Sequence, residues 1–220
     1  MIMVRFVQSL WLLFVSVVVL IVPRAASAQS QTQERGFAGG LGAVTFGTVA
    51  GGDVAGRAGV NVTTHLAVFG ELGRMTNALS KSDQITIDDN AAVVSAAMGE
   101  TPVVSGGLPV VYGTGEVRLN ADTYNRVTPY AEAGYGVAHI ENKMSASIVG
   151  IGLDVSKQVL TAPLVAGLPQ NDPLLSLGGG VSIAAGRRAG FDIGYRYSRI
   201  MVPNQAINTG KLYGALRVGF

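Results

Sequence analysis

Few side chains in this chain of 220 residues could carry a reaction. There is no cysteine, which excludes thiolate nucleophiles, thiolate metal ligands and a disulfide framework. His65 and His139 are the two histidines, and neither sits in a metal-ligand spacing. The run Gly178-Gly179-Gly180 lies inside a strand-like stretch with no Walker sequence after it, so it is not a phosphate loop. What remains is a set of charges spaced among apolar residues and glycines: Arg57, Arg118, Arg196 and Arg217 against Glu71, Glu116, Glu132 and Asp192. Both signs are equally represented. Charges brought into one interior must be paired, because desolvating one alone is expensive. The expected chemistry is therefore a ladder of ion pairs that fills an interior and sets strand register, with a gated ion pathway as the alternative.

The elements that position these charges are read from alternation. In Lys211–Phe220, one parity is Leu212, Gly214, Leu216, Val218 and Phe220, and the other is Lys211, Tyr213, Ala215, Arg217 and Gly219. In an extended strand these are opposite faces. The same separation recurs at 54–63, 65–75, 111–121, 127–140, 174–185 and 191–199. A glycine-rich segment at 37–47, whose facing is ambiguous, makes eight. The 30 glycines stand among Val, Leu, Ala and Tyr, which suggests close backbone approach or strong curvature.

The first residues read differently. Arg5, the apolar stretch Leu10–Val22 and the small-residue site Ala26-Ser27-Ala28 form an export signal, too short to span a membrane as a helix. No cysteine follows the cut, so no lipoprotein anchor is expected. Losing residues 1–28 removes Arg5 and Arg24 and leaves 14 basic against 14 acidic residues, a net charge of zero. Nothing in that balance points to nucleic acid. The domain expectation is a signal peptide at 1–28 and one barrel at 29–220.

Three features put the apolar faces on the outside. They are nearly free of charge over about ten residues, the length of a tilted membrane strand. The opposite faces carry few charges of both signs, which suits a closed interior. Only 14% of residues are charged, low for a soluble surface. With the segments numbered in chain order, the gaps after 2, 4 and 6 are short, whereas 76–109 and 141–173 are long and 200–209 is intermediate; the gap after 1, at 48–52, is also short and departs slightly from the trend. Short turns at one end and long loops at the other are a membrane-barrel pattern. The expected fold is all-β: an eight-stranded antiparallel up-and-down transmembrane β-barrel with two long extracellular loops. Tyr135, Tyr195 and Tyr197 toward one end, and Phe37, Phe191 and Phe220 toward the other, fit two aromatic girdles.

With its alternating strands and an aromatic last residue, the chain resembles the OmpA-type and OmpX-type small outer-membrane barrels over roughly residues 36–220. That resemblance implies location in the outer membrane after export. It implies contact with outer-membrane lipid and recognition of Tyr213, Leu216, Val218 and Phe220 by the barrel-assembly machinery. The expected function is that of a structural or surface-interaction protein without cofactor, metal or enzymatic activity, and a monomer, since eight strands close without a partner. Some barrels of this kind deacylate lipid with a His, Ser and acid set. Here His139 is followed by Glu141, Ser145 and Ser147, without the serine two residues on. Apolar stretches in the loops, 90–99 and 146–160, are the expected place for a surface ligand, within 77–109 and 141–173. A narrow solute pore, a lipid A-modifying enzyme and a soluble lipocalin-like carrier are the alternatives.

Overall fold

The computed structural model describes residues 35–47, 51–148, 152–161, 170–186, 188–203 and 205–220. The expected export signal at 1–28 lies outside the described residues. In chain order the elements are β1 (Gly36–Phe46), β2 (Gly51–Asn61), β3 (Leu66–Met75), α1 (Lys81–Met98), β4 (Val103–Ser105), β5 (Val110–Asn120) and β6 (Val127–Ile140). There follow β7 (Ser145–Ile148), β8 (Leu153–Asp154), α2 (Ser156–Val159), β9 (Gln170–Ala184), β10 (Ala189–Val202) and β11 (Gln205–Gly219).

Eight strands close into a barrel in the order β1-β11-β10-β9-β6-β5-β3-β2, with every neighbouring pair antiparallel. Hydrogen-bonded partners followed once round the wall run from Gly36 through Val60, Val68, Val117, Ala133, Leu177, Tyr197 and Gly210 to Phe46, ten residues further along β1. A stagger of that size tilts the strands steeply, at about 35–45° to the axis.

Side-chain parity places the two faces as the alternation predicts. Val54, Leu72, Leu177, Leu212 and Leu216 point outward and are more than half exposed, while Arg57, Glu71, Glu116, Arg118, Glu132, Asp192 and Arg196 point into the lumen and are buried. Phe37 departs from its expected girdle position. It faces inward beside Phe69, with ring centroids 5.8 Å apart, because the inward parity of β1 is the odd-numbered one. The expected intermediate loop at 200–209 is a tight hairpin instead: β10 runs to Val202 and β11 starts at Gln205. Ile200, Val202 and Ile207 continue the inward row there and are buried.

The two long connections meet at one end of the barrel and build a cap. Strands β4, β7 and β8 form a separate three-stranded sheet. Helix α1 starts at Ser80, whose hydroxyl accepts the Asp83 N–H at 3.1 Å, and stops at Gly99, in the left-handed region with φ 74°, which glycine adopts without strain. Its inner side, Ile87 with Ala91 and Val94, packs on a cluster of Leu79, Leu108, Ile148, Val155, Val159 and Ile200. The stretch 90–99 is thus the second half of α1, and the described part of 146–160 holds β7, β8 and α2.

Candidate functional site: the closed lumen

Burial along alternate residues of six strands gathers the lumen charges into one chain of alternating sign. Arg57 of β2 reaches Asp192 of β10 at 2.6 Å. Asp192 also accepts from Arg118 of β5 at 2.9 Å. Arg118 reaches Glu132 of β6 at 2.9 Å, and Glu132 is 2.6 Å from Arg196 of β10. Arg196 donates to Glu71 of β3 at 2.6 Å. Glu71 stands 3.8 Å from the Lys211 ammonium of β11, which donates to Asp53 of β2 at 2.6 Å. Glu116 branches from this chain. It lies 3.6 Å from Arg196 and accepts from Thr114 and Ser176, each at 2.9 Å.

Neutral hydroxyls tie the chain to the wall. Tyr213 donates to Glu132 at 2.7 Å and is 2.7 Å from the Tyr130 hydroxyl. Tyr112 donates to Asp53 at 3.0 Å and to Glu71 at 3.2 Å. The Arg118 guanidinium lies 3.9 Å over the Tyr130 ring, a favourable stacking geometry for a planar cation. An eight-stranded barrel is just wide enough to be filled by its own side chains, and here they fill it.

Glycine makes that filling possible. A Cβ on Gly134 would overlap the Glu116 carboxyl group, and one on Gly73 would overlap the Tyr112 ring. The lumen thus alternates very large polar residues with none at all.

Both ends of the charged chain are sealed. At the short-turn end, Phe37, Ala67 and Phe69 form a small apolar floor, with Arg57 and Arg118 at 6.0 and 5.5 Å from the Phe69 ring. At the other end, the cap's apolar cluster extends down to Met75, Val110 and Tyr112. Between cap and charges lies a small cavity lined by Tyr112, Glu116, Ser176, Arg196 and Lys211. Within the cap, Lys143, 2.8 Å from Glu141, holds that carboxyl below its usual range through a hydrogen bond and its charge. The Ser156 hydroxyl and backbone N–H do the same for Asp154.

Seven of the eight expected lumen charges join one another directly. The eighth, Arg217, lies toward the floor, donating to Ser182 at 3.2 Å and stacking 5.7 Å over Phe37. Lys211, Asp53, Tyr112 and Tyr130 belong to the network and were not among the expected site residues. Of the last-strand residues, Leu216, Val218 and Phe220 face outward and are 67%, 56% and 72% exposed, but Tyr213 is 2% exposed and faces the lumen. Tyr213 is therefore not part of that outward row. The parity of β11 puts it on the opposite face.

The histidines stand apart from the lumen. His139 is on the outward parity with Nδ1 2.7 Å from Asn171 Oδ1, while Ser145 is bonded to Ser105 within the cap sheet. His65 is in a turn, 3.1 Å from Asp122. No group of three or more metal-ligating side chains occurs among the described residues.

No family model and no curated protein matches the chain. Among solved structures, Neisserial surface protein A is similar, with 19% identity over 84% of this chain and 96% of that one and a TM-score of 0.51. The N-terminal barrel domain of Pseudomonas aeruginosa OprF aligns at 9% identity over 85% and 99%, with a TM-score of 0.47. Ail of Yersinia pestis aligns at 12% over 84% and 99%, with a TM-score of 0.44. The fold is that of the small eight-stranded outer-membrane barrels.

Proposed function

We propose that the chain is an integral outer-membrane protein whose barrel is a closed support and whose cap is a surface-interaction module. The observation that carries this reading is the lumen: a continuous chain of ion pairs, from Arg57 to Asp53, sealed by aromatic rings below and by an apolar cap above. Such an interior has no use in a ligand carrier, whose cavity must be open. The apolar outward wall fits acyl chains. On this reading the short turns face the periplasm and the cap faces outward, where 77–109 and 141–173 present the surface for a ligand. Export precedes insertion, and the outward row Leu216, Val218 and Phe220 is what the barrel-assembly machinery reads. The barrel works as a monomer, since its eight strands close without a partner, and it carries out no reaction.

The test is direct. Detergent-purified protein should migrate differently on a denaturing gel when boiled and unboiled, with a strand-dominated far-ultraviolet circular dichroism spectrum. Ready solubility without detergent, and no mobility shift, would overturn the membrane reading. Planar-bilayer recordings separate the two uses of the lumen. The closed support predicts no single-channel conductance. A conductance that disappears on Glu116→Ala or Arg118→Ala would establish the narrow pore instead.

A further inference from the structure

The turn end of the barrel carries a one-sided arc of arginines. Arg35, Arg188 and Arg126 are all exposed, and backbone hydrogen bonds place them in sequence along half of the rim. Gly36, next to Arg35, exchanges two bonds with Phe220, at 3.1 and 2.9 Å. The Arg188 carbonyl accepts from Gly219 at 2.7 Å, on the far side of the same strand end. The Arg126 carbonyl accepts from Ala184 at 2.9 Å, at the foot of β9, which pairs with β10. The arc therefore spans the feet of β1, β11, β10, β9 and β6.

Two further observations say what meets this arc. Exposed aromatics stand along the same stretch: Phe220 at 72%, Phe191 at 36% and Tyr124 at 78%. Above them the outward faces of β9, β10 and β11 are apolar, with Leu177, Ile193, Leu212 and Leu216 exposed. The partner thus has an anionic head and apolar tails. The described side-chain carboxylate on the rim, Asp122, lies 3.1 Å from His65, so the described rim side chains carry more arginine than carboxylate. At the opposite end the charges are mixed, with Asp88, Asp89, Glu100 and Asp154 exposed beside Lys81, Lys143 and Lys157.

We infer that the arc formed by Arg35, Arg188 and Arg126 binds the phosphate headgroups of anionic phospholipids in the periplasmic leaflet. Guanidinium forks match phosphate oxygens in pairs, and a basic group near an anionic bilayer surface contributes favourably within a Debye length. The aromatics sit at the depth where such headgroups meet their chains. The inference rests on the proposed membrane location, because the arc has no such partner in water.

The protein reconstituted in nanodiscs of equal parts phosphatidylglycerol and phosphatidylcholine tests it. Lipids retained after mild delipidation are counted by native mass spectrometry, and folding is followed on the same samples by the boiled and unboiled gel shift. The wild type should retain phosphatidylglycerol over phosphatidylcholine. Each of Arg35→Gln, Arg188→Gln and Arg126→Gln should lower that preference by about fivefold, the weight of one basic group at an anionic surface, with the gel shift unchanged. Lys157→Gln in the cap should leave the preference intact. Equal retention of the two lipids by the wild type, or a preference that survives in the triple variant, would overturn the arc alone. Failure to insert into either bilayer would overturn the membrane reading, and the arc with it.

Discussion

An Arg196→Met variant will fold poorly or not at all, losing about 3–5 kcal/mol, the cost of removing one partner from a buried ion pair. Arg196 is the hub of the lumen. It contacts Glu71 and Glu132 at 2.6 Å and Glu116 at 3.6 Å, and is 1% exposed. Without it Glu132 keeps Arg118 and Tyr213, and Glu71 keeps the more distant Lys211 and the Tyr112 hydroxyl. Glu116 is left with hydroxyls alone. A urea titration in detergent, followed by circular dichroism and the gel shift, reads the loss. Combining Arg196→Met with Glu71→Gln and Glu132→Gln should recover part of it, because neutralising the whole group removes the desolvated charges together. A single-variant loss below about 1 kcal/mol, the usual worth of an exposed pair, would mean that the lumen is far wetter than its burial indicates.

Gly134→Val is expected to be nearly as damaging, and for a different reason. The new Cβ would occupy the place of the Glu116 carboxyl group, which accepts from Thr114 and Ser176. Overpacking costs about 1–3 kcal/mol, and here it also drives a buried carboxylate off its donors. Glu116→Ala vacates the same space, so the double variant should lose less than the two single variants together, with a coupling of about 1–3 kcal/mol. Additive losses in the same titration would show that Gly134 serves the backbone of β6 and not the volume of the lumen.

The wall was legible because its signal is strong: a period of two, repeated in seven segments, with charge nearly confined to one parity. That pattern alone puts Arg57, Glu71, Glu116, Arg118, Glu132, Asp192 and Arg196 on one side of the wall. It gives less at strand ends. Asp53 stands one residue before the segment read from Val54, and Lys211 is the first residue of the last segment, so neither entered the expected set, yet they close the ion chain. Tyr112, Tyr130 and Tyr213 lie on the polar parity, but a tyrosine carries no charge in the sequence, and its hydroxyl counts only once a carboxylate is seen beside it. Phe37 shows how a glycine-rich strand hides its facing: with glycines at 39, 40 and 42 on both parities, the alternation gives no contrast. The cap was the least readable part. Helix α1 has alanines and valines on several sides, so no helical period stands out, and its strands are two to four residues long. What organises it is the barrel mouth beneath, through contacts distant in sequence. The glycines, read as a sign of curvature, also serve as spaces for the largest lumen side chains.

The seam of the barrel has a kinetic consequence. Ladder partners such as Phe37 and Gly219 stand 219 − 37 = 182 residues apart, so this pairing closes a very long loop. Closing so long a loop carries an entropic penalty that grows with the logarithm of its length, and folds rich in such pairings form slowly. Until β11 docks, β1 and β10 are both open edges, with unpaired N–H and C=O groups able to template other strands. The last fifteen-residue strand therefore converts a sheet prone to aggregation into a ring with no edges, and the vulnerable interval in the life of this protein is the wait for that strand.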